Sequence, residues 1–268
     1  MTLPALVVPT RSAHWGWDEH RYFGHKVFEE LAGHESFMGL TALSVLGRRL
    51  PAEDCAVLED AANTLTMADP RIWPLKLTRV VASYGGTVAA AAAGLLVEEG
   101  AQIGPWACGR AAEVLEKMHA EIAGREGDDD HVRDIVSRYL EKHAFIWGFG
   151  TPFRPRDERL IAFRRCMIEK GRHARAHYRT MEAVANAVRQ LRRAEPNIVL
   201  ALAAVCLDMG LGVEEIGPVA TTLMQHMFFA AAVEGARQTP SVLRELPDAY
   251  VAYIGPEPRT SPRAARTG

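Results

Sequence analysis

Apolar residues recur at three- and four-residue intervals along almost the whole of this chain, and no run of four or more residues alternates apolar with polar convincingly. A period near 3.6 puts one apolar stripe on a helix and cannot build a half-buried strand, so the pattern implies an all-α fold. Helices are expected over residues 22–31, 36–46, 52–66, 73–99, 104–122, 131–143, 156–170, 173–193, 196–209 and 214–237, punctuated by Gly, Pro, Asp or Asn. Start signals precede several of them: Pro51 with Glu53 and Asp54, the acidic run at Asp128, Asp129 and Asp130, and Pro196, whose fixed φ suits a first turn. Little of the 268 residues is left over for a sheet.

Composition excludes some classes of function. With 48% hydrophobic and 24% charged residues the chain has the balance of a globular protein. A formal net charge of −2 gives no electrostatic reason to expect nucleic acid or an anionic membrane as a partner, so any anion site must be local. The uncharged run over residues 80–97 is rich in Gly and Ala, too short and weak to span a bilayer, and reads as a tightly packed core helix. No charged segment precedes the short apolar stretch near the N-terminus, so a signal peptide is not expected and the mature protein should begin near Met1. Cys55, Cys108, Cys166 and Cys206 are widely spaced without CxxC pairing, which implies reduced thiols and a cytoplasmic setting. His173 and His177 have the i, i+4 spacing of a helical metal pair, but no third ligand accompanies them and arginines surround them, so no metal is expected. Residues 256–268, rich in Arg, Pro, Ser and Thr, are expected to fray.

Four segments carry more specific information. The stretch from Tyr22 to Pro51 reads YFGHKVFEELAGHESFMGLTALSVLGRRLP, that from Gly104 to Leu115 GPWACGRAAEVL, and that from Gly148 to Arg159 GFGTPFRPRDER. The fourth begins at Glu195 with EPNIV, continues with LDMGLG from Leu207, and is followed by YIGPEPR from Tyr253. In this order and spacing they resemble the landmarks of citrate synthases and the smaller citryl-CoA lyases: an "ELA…SF…GxLP" opening, "GPLHGGANEAVL", "GFGHPVYK…DPR", "PNVD…LGIP" and "YVGPxxR". The resemblance covers about residues 22–259 and implies the helical fold of that family.

That family makes or breaks a carbon-carbon bond by way of an enolised thioester, which requires a carboxylate base and hydrogen-bond donors for the developing enolate and for the keto group. The resemblance assigns the donors to the histidines of "GPLHGG" and "GFGHP" and the base to the aspartate of "PNVD". Those positions are Ala107, Thr151 and Val199 here. Thr151 retains one hydroxyl donor and no charge at neutral pH. Loss of a single electrostatic donor commonly costs about a hundredfold in rate, so ordinary citrate synthesis is not expected.

On the binding side, Arg159 stands at the "DPR" arginine that grips a carboxylate, and Arg154 and Arg156 keep the loop basic. By the same resemblance Trp147, Gly148, Phe149, Gly150 and Arg154 would meet coenzyme A, Arg244 would reach a partner's site, and Met224 or its neighbour would stand in place of a further family arginine. Replacement proton-transfer groups are Cys108, close to a helix start where a thiol pKa falls, with a buried inert cysteine as the alternative, and His143 or His226, with a packed histidine as the alternative.

The resemblance further implies a large domain of residues 1–106 and 200–268, a small domain of residues 107–199 inserted in it, and a homodimer. Two functions remain open at this point. One is an acyl-CoA-dependent acyltransferase or lyase of altered specificity; the other is a non-catalytic pseudoenzyme that serves as a binding or scaffold partner of an active paralogue.

Overall fold

The computed structural model of the chain describes residues 8–66, 69–100, 103–151, 155–238 and 248–256. Its helices are α1 (Phe37–Leu46), α2 (Ala52–Thr64), α3 (Trp73–Ser83), α4 (Thr87–Gly100), α5 (Gly104–Ile122), α6 (Asp129–Lys142), α7 (Glu158–Glu169), α8 (Ala176–Arg192), α9 (Ile198–Asp208) and α10 (Val213–Gly235). The class is all-α, as the periodicity implies. Caps set several ends: Ser36 accepts a hydrogen bond from the Gly39 N–H at 2.9 Å ahead of α1, and Asp128 accepts one from His131 ahead of α6.

Three expected boundaries are corrected. Residues 22–31 do not form a helix: Arg21–Tyr22 (β2) lies between Ala13–His14 (β1) and His25–Lys26 (β3) in a small antiparallel sheet, and Val27–Leu31 is a π-helical turn. Phe23 and Gly24, at φ 48° and 84°, turn the chain there, and only Leu31 of the turn is buried, so no apolar stripe drives an α-helix. The helix expected over 73–99 is two, because Gly85 and Gly86 adopt φ 111° and 76° between α3 and α4. Pro196 precedes α9 instead of starting it, since it pairs with Phe149 as a β-bridge and leaves Asn197 as the N-cap, accepting from the Val199 N–H at 3.0 Å. The tail expected to fray beyond Pro256, and Met1, lie outside the described residues.

Two apolar cores result. The larger gathers α2, α3, α5, α9 and α10, and α9 is buried almost all round, from Ile198 and Leu200 to Leu207. A smaller core joins α5, α6 and α8 through Met118, Ile122, Val136, Leu140, Val184 and Val188. Helix α8 serves both: Tyr178 and Met181 enter the large core, and Val184 and Val188 the small one. Helix α7 joins the large core through Leu160, Phe163 and Met167. Of the described helices, α10 is long and apolar enough to cross a membrane, but half of that stretch is buried within the protein, where α10 packs against α3, α4 and α5.

Candidate functional site

The junction of the two cores is made by the segment between α6 and α7. Trp147 and Phe149 pack against both cores. The Gly150 N–H donates to the Glu195 carbonyl at 2.8 Å, the Asn197 N–H donates to the Gly148 carbonyl at 2.9 Å, and Asn197 Nδ2 donates to the Gly150 carbonyl at 2.7 Å. This short antiparallel pairing holds the glycine-rich loop against the start of α9. Trp147 is wedged edge-on between Trp106 and Phe145, each with ring centroids 4.8 Å away.

Asp157 fixes the start of α7. Its carboxylate accepts the Arg159 N–H at 3.1 Å and the Ile198 N–H at 2.9 Å, and grips the Arg159 guanidinium through both oxygens at 2.8 and 2.9 Å. Burial raises the Asp157 pKa, and the guanidinium with the two N–H donors more than offsets this, leaving it below the usual carboxylate range. Arg159 is thus aimed by a carboxylate that itself has no exposure to solvent.

These elements enclose a cavity of about 300 Å³. Ala107 and Cys108 reach it from α5, residues 145–151 from the loop, Arg159 from α7, Val199 and Leu202 from α9, and Met224, Met227 and Phe228 from α10. Ile72, Pro74 and Leu75 of the α3 start, with Asp69 and Arg71 before it, complete the wall together with Glu98 of α4. Ala107, Thr151 and Val199, far apart in sequence, therefore share one cavity with Arg159, Met224, Trp147, Gly148, Phe149 and Gly150. Among the described lining residues there is no histidine.

Two expectations are corrected here. Cys108 lines the cavity but is 1% exposed, and burial, with Cys206 and Glu98 nearby, pushes its thiol well above the ordinary range, so it is not an activated nucleophile. His226 does not line the cavity. Met224 and Met227 face it, and two residues beyond Met224 a helix has turned by roughly 200°; the His226 ring instead stands 2.8 Å from Thr66 Oγ1, with its pKa lowered by burial. His143 caps α6, stacked on Tyr139 at 4.2 Å. It borders a second groove of about 580 Å³ between α5 and α6, lined by Trp106, Arg110, Lys117, Arg138 and Lys142 and sharing Trp147 with the first cavity. Arg154 and Arg244 lie outside the described residues. His173 sits in a 3-10 turn ahead of α8, so it does not share a helix with His177, whose Nδ1 is 3.0 Å from an Asp208 oxygen. Among the described residues no group of three or more His, Cys, Asp or Glu is placed to hold a metal ion.

Sequence reasoning missed Glu98. The residue is 6% exposed, Oε2 is buried with no hydrogen-bond partner, and burial pushes the pKa up to about 7. It stands against the first turn of α5, where a Cβ on Gly104 would come within 2.7 Å of Oε1. A carboxyl raised in the folded state stabilises the fold fully below its unfolded pKa of 4.5 and progressively less through about pH 7. Glu98→Gln should therefore raise stability at pH 8 by on the order of 2 kcal/mol and leave it nearly unchanged at pH 4.5. Thermal unfolding at the two pH values checks this, and an equal effect at both would show that Glu98 is not held in a desolvated site.

The architecture is citrate synthase-like. No protein-family model matches the sequence, and no curated protein sequence does. Solved structures match across the fold. The citryl-CoA lyase from Hydrogenobacter thermophilus superposes with a TM-score of 0.79 at 20% identity, covering 98% of this chain and 100% of the other. An ATP citrate lyase from Methanosaeta concilii, a D541A mutant in complex with (3S)-citryl-CoA, gives 0.72 at 15% identity over 100% of this chain and 44% of its own. The citrate synthase from Thermotoga maritima gives 0.61 at 17% identity over 84% of this chain and 59% of that one.

Proposed function

We propose that the chain binds an acyl-CoA thioester, placing the acyl end in the cavity, and makes or breaks a carbon-carbon bond on a substrate other than citrate. The observation that carries this reading is the convergence of Arg159, Thr151, residues 147–150 and the altered positions Ala107 and Val199 on one cavity within a citrate synthase-like fold. The similar ATP citrate lyase structure holds (3S)-citryl-CoA. A cavity of about 300 Å³ is too small for a whole coenzyme A and suits its acyl end. The adjoining groove offers cations for the phosphates, Lys117 and Lys142 among them.

Calorimetric titration with coenzyme A and acetyl-CoA tests the proposal. Micromolar binding is expected, weakened about tenfold or more by Arg159→Ala for acetyl-CoA and by Lys117→Ala/Lys142→Ala for both ligands. No binding of either ligand would overturn it. The second reading, a non-catalytic binding partner, is favoured by the lack of histidine among the described lining residues and by the raised Cys108 thiol. It predicts that coenzyme A binds without turnover of any thioester, or does not bind.

The same proposal includes a homodimer in the cytoplasm. Val88 and Leu96 of α4 and Phe229 and Val233 of α10, two helices packed on each other, expose large apolar side chains, and the four cysteines are free thiols. Sedimentation of the Leu96→Arg/Phe229→Arg variant should show monomers where the parent protein is dimeric. A monomeric parent would refute the dimer.

A further inference from the structure

Among the described residues, the charged groups of the cavity come in pairs, with one exception. Arg159 is held by Asp157 through two hydrogen bonds, and Arg71 is held by Asp69 in the same bidentate way. Neither cation presents a full uncompensated positive charge to a ligand. Met224 and Val199 add apolar surface, and Leu75, Leu202, Met227 and Phe228 continue it. Among the described lining residues Glu98 alone has no partner of opposite charge: Oε2 is unpartnered, the side chain is almost wholly buried, and it lines the cavity. The titratable groups sharing that wall are the Cys108 thiol of α5, which is neutral at pH 8, and beyond it Arg159 of α7 with its aspartate. The rim differs in character, with Phe145 and Arg71 largely open to solvent. A thioester entering from the rim thus meets Glu98 at the inner wall.

We propose that Glu98 restricts this cavity to acyl groups without a second negative charge, so that the substrate is an uncharged aliphatic acyl thioester and not a carboxylated one. An ionised Glu98 repels a carboxylate across a medium of low dielectric, where like charges interact far more strongly than in water. A protonated Glu98 donates a hydrogen bond to a neutral acceptor such as the thioester carbonyl. Because burial brings its titration close to neutrality, both forms are accessible, and selectivity against carboxylates grows with pH. This specificity rests on the reading of the cavity as an acyl-CoA site.

Butyryl-CoA and succinyl-CoA have acyl chains of the same length and differ by a terminal carboxylate, so they isolate the effect. In calorimetric titrations at pH 8 the protein should bind butyryl-CoA at least about tenfold more tightly than succinyl-CoA. The gap should narrow to within about threefold in Glu98→Gln, and should narrow in the parent protein at pH 5.5, a comparison that needs no variant to fold. Equal binding of the two thioesters by the parent protein at pH 8, or a gap unaltered in Glu98→Gln, would overturn the specificity and leave the acyl-CoA site standing. Failure of both thioesters and of free coenzyme A to bind would overturn the site and the specificity together.

Discussion

Asp157→Ala should lower the folding free energy by about 3–5 kcal/mol, because it removes one partner of a buried ion pair and leaves the other uncompensated. The carboxylate serves three groups at once: the Arg159 guanidinium, the Arg159 N–H at the start of α7 and the Ile198 N–H at the start of α9. Two helices from different parts of the chain are therefore tied through one side chain. Asp157→Asn, which keeps the shape and one acceptor oxygen, should lose less, about 1–2 kcal/mol. The pH dependence follows from the lowered pKa: the contribution is present above the unfolded carboxylate pKa and is lost as pH falls through the lower folded value. Urea unfolding of parent and variant should thus show a gap that is full at neutral pH and shrinks in acid. A loss below about 1 kcal/mol at pH 7 would mean that the pair is not closed in solution.

Gly148→Ala should cost about 2–4 kcal/mol and distort the cavity loop, since two penalties coincide there. The residue has φ +90°, and a Cβ would come within 2.6 Å of the Leu200 Cβ and 3.1 Å of its Cα. Gly150 separates the two effects, being at φ +81° with open space where a Cβ would stand. Gly150→Ala should cost only the backbone strain, about 1 kcal/mol. Thermal unfolding of the parent protein and the two glycine variants checks the prediction. Equal effects at positions 148 and 150 would show that the close approach of the loop to α9 does not exist.

Much of this architecture is legible in the sequence because a 3.6-residue apolar period is set by backbone geometry and survives wide divergence. The period ran through Gly85 and Gly86, which is why one long helix was expected where two stand: periodicity registers which face is apolar and is blind to a turn that keeps the register. Residues 22–31 failed for the opposite reason, since Phe28 is exposed and the apolar residues there do not share a buried face. The ordered motifs brought Ala107, Thr151, Arg159 and Val199 to one cavity although they are spread over 93 positions, from 107 to 199. Glu98 escaped because an acidic residue near a helix end ordinarily lies in solvent, and nothing local marks it as buried against the first turn of α5. Asp157 escaped as an ordinary cap, its reach to Ile198 being a tertiary contact. His226 shows the limit of counting along a helix: two residues from Met224 it is close in sequence and on another face.

The proposal that this fold has left citrate chemistry behind is tested most directly by incubating the purified protein with (3S)-citryl-CoA, and in parallel with acetyl-CoA and oxaloacetate, while following free coenzyme A and citrate. With Ala107, Thr151 and Val199 at the positions to which the sequence resemblance assigns two histidines and an aspartate, the proposal expects neither cleavage nor synthesis above the uncatalysed rate. Either reaction at ordinary enzyme rates would contradict it and would mean that a proton-transfer group outside these three positions reaches the substrate.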